Sequence, residues 1–128
     1  MTLRTSNQLF DAYFSADSMA EVFCDQGRLQ GMLDFEAALA RAEAQVGLIP
    51  QAAVAPIAQA CLASLYDVDA LGVAIATAGN SAIPLVKALG KLIADEDASA
   101  ERYVHLGATS QDVMDTGQIG RASCRERV

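Results

Sequence analysis

One stretch constrains the fold more than any other: "DQGRLQGMLDFEAALARAEAQVGL", from Asp25 to Leu48. Leu29, Met32, Leu33, Glu36, Leu39, Ala40, Glu43 and Val46 recur there at steps of three and four. The apolar members form one helical stripe, widened by Phe35, Ala38 and Ala42. Such a stripe must be buried against other elements, so the chain has to pack helices around it. Gly47 supplies the stop, and Pro50 follows shortly after.

Neighbouring segments carry the same period. Ser18 as N-cap, with Glu21 three places on, predicts a brief helix over "SMAEVF". A further helix is predicted from Pro50 or Gln51 through "AAVAPIAQACLASL", kinked or split by Pro56. Asp67 caps a short third helix that Gly79 ends. "NSAIPLVKALGKLIA" reads as a fourth, with Asn80 or Ser81 as cap and Pro84 in its first turn. "DEDASAERYV" reads as a charged connection. Before all of these, residues 1–17 read as an arm with Leu9, Phe10, Tyr13 and Phe14 as anchors. No alternating run makes a strand, so the expected class is all-α.

Composition narrows the function classes. Abundant alanine and scarce aromatics suit helices packed closely through small side chains. A net charge of −7 with no Lys/Arg cluster before the last residues argues against nucleic acid. No apolar run reaches the length of a membrane span, and the first residues lack a signal-peptide core. Cys24, Cys61 and Cys124 are odd in number and widely spaced. They read as reduced thiols in a cytoplasmic protein, without a zinc site.

The densest chemistry lies in "HLGATSQDVMDTG", which holds the sole histidine, His105. Thr109 followed by Asp112 fits a capping box in which the hydroxyl accepts a backbone N–H and the acid reaches back. Gly107 gives the turn before it. A helix start also presents unpaired N–H groups and a positive dipole end. The hydroxyls of Thr109 and Ser110, the Gln111 amide and His105 add donors there, which suits binding a carboxylate. Ser110 has no base nearby in sequence and is not read as a nucleophile.

"VHLGATSQDVMDTG" resembles the first signature region of the fumarase/aspartase superfamily, in His105, Gly107, Thr109, Ser110, Asp112, Asp115 and Thr116. "GMLDFEAALARAEAQVGLIP" is similar to that superfamily's first long helix. The resemblance runs from about residue 10 to 117. It implies a helical N-terminal domain over 1–104, a signature region over 105–117 leading into a central helix bundle, and a homotetramer. It also implies an enzyme of di- or tricarboxylates without metal or organic cofactor. His105, Thr109, Ser110, Gln111 and Asn80 would line the substrate, while Gly107, Asp112, Asp115 and Thr116 hold loop and helix in place.

"MLDFEAALARAEA" and "AGNSAIPLVKALGKL" look most like the superfamily's cycloisomerase branch, which closes a carboxylated muconate to a lactone. Adenylosuccinate lyases carry histidine where this chain has Asn80, and an asparagine is no general acid near neutral pH. An adenylosuccinate-type β-elimination is the alternative reading. A small helical interaction module, binding a partner helix through its apolar stripe, is another. The superfamily's later signatures, with their histidine, serine loop, lysine and asparagine, have no counterpart here. The expectation is therefore no catalytic residue in this chain and no activity by itself, with apolar faces left exposed.

The last eleven residues differ from the rest. Up to Gly117 there are six basic against fifteen acidic residues, a net of −9. "QIGRASCRERV" carries a net of +2, and the helical period fades with it. Residues 118–128 are expected to be a foreign or out-of-frame tail.

Overall fold

The computed structural model describes Tyr13 and residues 16–123. Six α-helices occupy most of 16–123, with no strand among the described residues. Helix α1 spans Asp17–Phe23 and α2 spans Asp25–Gln45. The break between them is one residue, Cys24, with ψ 162°. Its Sγ accepts from the Gly27 N–H at 3.3 Å and so caps α2. The expected cap at Ser18 is not used: α1 starts after Ala16 with no side-chain cap, and Ser18 lies in the first turn. Asp17 meets the positive end of the helix there instead.

Helix α2 ends as its sequence predicts. Gly47 adopts φ 78°, and Leu48 N–H reaches Glu43 O at 2.8 Å while Gly47 N–H reaches Ala44 O at 3.2 Å. That is a Schellman closure, open to glycine because it lacks a Cβ. Leu29, Leu33, Glu36, Ala37, Ala40 and Glu43 are buried along one face. Val46 is not: it sits past the last turn and is 72% exposed. Ala38 and Ala42 are also exposed, so the stripe is narrower than expected.

The segment after Pro50 is split, but not at Pro56. A 3₁₀ turn over Gln51–Ala53 precedes α3, Val54–Ala60, and another over Ala63–Leu65 follows it. Pro56 falls in the first turn of α3, where its missing N–H costs nothing. The real break is at Cys61 and Leu62, and Gln30 of α2 bridges it. Its Nε2 donates to Cys61 O at 3.0 Å, and its Oε1 accepts from Ala63 N–H at 2.8 Å.

Helix α4, Val68–Ala78, is capped by Asp67, whose Oδ1 accepts from Asp69 and Ala70 N–H at 3.0 and 3.1 Å. Gly79 closes it at φ 67°. Helix α5 spans Ala82–Glu101. Asn80, not Ser81, caps it, accepting from Ala82 and Ile83 N–H at 2.8 and 3.2 Å. The expected charged connection is partly helical: the helix runs to Glu96, kinks at Asp97 (φ −148°, ψ 92°), and a last short turn follows in which Asp97 Oδ1 accepts from the Ser99 N–H at 3.0 Å.

Leu33, Ile57, Leu85, Leu89 and Ile93 are at most 1% exposed and join α2, α3 and α5 into the core. Burying each such side chain contributes about 1.5–3 kcal/mol. Helix α6, Ser110–Ser123, lies across α2. Gly117 meets Gly31 at the crossing: a Cβ on Gly117 would stand 3.2 Å from the Gly31 carbonyl carbon. The helix does not fade at Gln118 but continues to Ser123, and Arg121 is half-buried against Gly31.

Of the arm's expected anchors, Tyr13 is helical and 83% exposed, while Leu9, Phe10 and Phe14 lie outside the described residues. Cys24 and Cys61 are free thiols, the first exposed and the second buried; Cys124 lies outside the described residues. Burial, with Glu36 and Asp34 nearby, pushes the Cys61 thiol up to about 12. No described helix is long and apolar enough to cross a membrane.

Candidate functional site

The turn between α5 and α6 and the start of α6 carry the expected site residues except Asn80. His105 takes φ 56° and Gly107 φ 73°, so the chain reverses within three residues. Glycine adopts that backbone freely, whereas histidine does so at a cost. The imidazole finds a partner far away in sequence. His105 Nδ1 lies 2.6 Å from Oε1 of Glu36, on the buried face of α2.

Glu36 is 2% exposed, and its other oxygen, Oε2, has no hydrogen-bond partner among the described residues. Two turns along the same face, Glu43 is 7% exposed and its Oε2 is likewise unpartnered. Burial raises both carboxyls above the ordinary range; the His105 hydrogen bond, then its charge, pulls Glu36 part of the way back, and the His105 charge does the same to Glu43. A buried carboxylate is expensive unless paired. The sequence reading placed both acids on the stripe without giving them a role. The signal was present: an ionisable group on a core face demands a partner, and the chain has one histidine.

Helix α6 begins where expected, and half of the expected capping box forms: the acid reaches back, but the hydroxyl does not accept a backbone N–H. Asp112 Oδ2 accepts from the Thr109 N–H at 2.8 Å, and the Thr109 hydroxyl donates to the same oxygen at 2.9 Å. The hydroxyl thus gives its proton rather than accepting a backbone N–H. These two bonds, the backbone one first, hold the Asp112 carboxyl below its ordinary range. Gln111 Nε2 donates to Asp115 Oδ1 at 2.7 Å.

Four side-chain donors were expected at this helix start; the Thr109 hydroxyl and one N–H of the Gln111 amide are committed to acids one turn on, and His105 Nδ1 faces Glu36. Ser110, half-buried, has no hydrogen-bond partner among the described residues. Its hydroxyl, the first N–H groups of α6, the second amide N–H of Gln111 and Nε2 of His105 are the groups left to meet an anion. Thr116 is exposed on α6. Asn80 stands apart, with its oxygen committed to the cap of α5 and no hydrogen bond to 105–111 among the described residues. No metal-ligating cluster occurs among the described residues.

A cleft of about 510 Å³ lies elsewhere, lined by Leu29, Met32, Leu71, Ile75, Met114 and their neighbours. Neither His105 nor Thr109–Gln111 borders it. Its walls are largely apolar, though Arg28, Ser81, Gln118 and Arg121 also border it; the turn remains the candidate site because it gathers His105, Thr109, Ser110 and Gln111 in one short stretch.

Known proteins share this architecture. The sequence profile of the lyase family matches residues 12–121, the whole turn included. A 3-carboxy-cis,cis-muconate cycloisomerase of Pseudomonas putida is 73% identical over 114 residues, which cover 89% of this chain and 27% of that protein. Its counterpart from Acinetobacter baylyi is 44% identical, over 94% of this chain and 27% of its own length. A crystal structure of the 3-carboxy-cis,cis-muconate lactonizing enzyme from Pseudomonas putida superposes with a TM-score of 0.90 at 69% identity, covering 92% of this chain and 26% of that one. The chain spans about a quarter of the length of the relatives it matches, corresponding to their N-terminal part. With its helices, its turn and nearly its whole length matched, the chain belongs to the lyase family of the fumarase/aspartase type.

Proposed function

We propose that this chain is the N-terminal part of a cycloisomerase that closes 3-carboxy-cis,cis-muconate to 4-carboxymuconolactone. The observation that supports it most is the 73% identity to a relative of that name. In the reaction one carboxylate oxygen of the substrate bonds to an alkene carbon, and a proton is delivered to the neighbouring carbon. Charge built up beside a carboxylate has to be held by preorganised donors. In this reading the Ser110 hydroxyl and the N–H groups opening α6 hold a substrate carboxylate, with His105 at its edge. Thr109 and Gln111 line the same wall and are fixed there by Asp112 and Asp115. Asn80 contributes its amide hydrogens, its oxygen being used in the cap. Residues from 105 onward lead into a central bundle, and four copies complete the site. No metal or organic cofactor enters this chemistry.

A fused enzyme tests the reading: residues 1–117 joined in frame to the remainder of the Pseudomonas putida relative. It should consume 3-carboxy-cis,cis-muconate, whereas the 128-residue chain alone should not. Ser110→Ala in the fusion should lower kcat/KM roughly 10- to 100-fold, the worth of one hydrogen bond to a charged group. A folded fusion inert to that substrate but cleaving adenylosuccinate would replace the cycloisomerase by the β-elimination enzyme.

A further inference from the structure

The Glu36–His105 contact has a consequence for which atom of the ring a ligand meets. A neutral imidazole carries one proton, on either nitrogen, and its partner decides which. Glu36 Oε1 lies 2.6 Å from Nδ1, and the glutamate side chain is 1% exposed against 16% for the histidine. The Nδ1 edge therefore faces the core, and Nε2 lies across the ring from it.

We propose that Glu36 is the positioning residue of His105: its buried carboxylate keeps the ring proton on Nδ1 and leaves Nε2 bare as the atom that meets the ligand. Neutral, Nε2 is an acceptor. With a second proton it becomes a donor to a carboxylate, and Glu36 carries the balancing charge behind the ring. Two further acids act on the same imidazole electrostatically, Glu43 from α2 and Asp112 from α6. Neither hydrogen-bonds to it among the described residues, so the tautomer is set by Glu36 alone. The role at the ligand rests on the cycloisomerase reading; the tautomer does not.

Since His105 is the sole histidine, ¹⁵N-histidine labelling of the 128-residue chain yields one imidazole spectrum. Long-range ¹H–¹⁵N correlations at a pH where the ring is neutral should show the proton on Nδ1. Glu36→Leu should return it to Nε2, the form free imidazole favours. Glu43→Gln, which alters burial charge without touching the hydrogen bond, should leave it on Nδ1. A neutral wild-type ring protonated at Nε2 would overturn the proposal, because Glu36 would then be the donor. So would an unchanged pattern in a folded Glu36→Leu protein; should that variant unfold, the wild-type and Glu43→Gln spectra decide. No substrate is present, so a correct tautomer with an inert fused enzyme faults only the functional reading.

Discussion

Gln30 is one polar side chain on which a whole connection hangs. Replacing it with leucine keeps the bulk and removes both bonds to the break after α3. Two backbone groups lose their partner: the Cys61 carbonyl and the Ala63 N–H, in residues each 4% exposed. A buried backbone group left unsatisfied costs about 1–3 kcal/mol, so the pair costs about 2–4 kcal/mol after some relaxation. The Gln30–Asp34 bond on the exposed side adds only a few tenths. Cys61 is a built-in reporter because its thiol is buried within this segment. With Cys24 and Cys124 changed to serine, Gln30→Leu should speed Cys61 labelling by a disulfide reagent roughly 30- to 700-fold, at tenfold per 1.4 kcal/mol. Gln30→Glu should fall between, since it still accepts from Ala63 but cannot donate to Cys61. Labelling within threefold of the parent, with circular dichroism unchanged, would show that packing of Ile57 and Tyr66 holds the segment and that the amide is incidental.

Two other expectations concern the buried acids and the helix crossing. Folding raises the Glu36 and Glu43 carboxyls, so their contribution favours the folded state below the ordinary carboxylate range and is lost as pH rises through the raised values. Glu43→Gln should therefore gain stability relative to the parent between pH 4 and pH 7, read as a difference in Tm in which the opposite trend of Asp112 cancels; a gap that shrinks with pH would refute this. At the crossing, Gly117→Leu forces a side chain onto the backbone of Gly31 and Met32 and should cost about 1–3 kcal/mol or more in urea titrations. Gly120→Ala, with nothing within 4 Å of the new Cβ, should instead gain up to about 1 kcal/mol of helix propensity.

Much of this fold could be read from local signals, because helices announce themselves locally. The run from Asp25, the cap at Asp67, the stops at Gly47 and Gly79 and the start of α6 need only neighbours within a turn or two. Errors arose where a local rule had competitors. Ser18 lost to Ala16 because the chain entered α1 two residues earlier, and Pro56 proved harmless because a break upstream placed it in a first turn. The site was legible as a turn and a cap. Its wiring was not, since whether Thr109 gives or takes a proton depends on where Asp112 points, and the Glu36 contact spans 69 positions. Nothing in a one-dimensional pattern links a stripe position on one helix to a turn that three later helices bring back.

The left-handed backbone of His105 sets a conflict of interest at one residue. Glycine or asparagine would sit at φ 56° more comfortably and recover part of the strain, of order 1 kcal/mol. Either would also strand Glu36 without its imidazole. A search for stabilising substitutions that scores backbone comfort would thus nominate this position early and, in accepting the exchange, would remove the ring proposed to meet the substrate. On that proposal, position 105 is where robustness and chemistry ask for different amino acids.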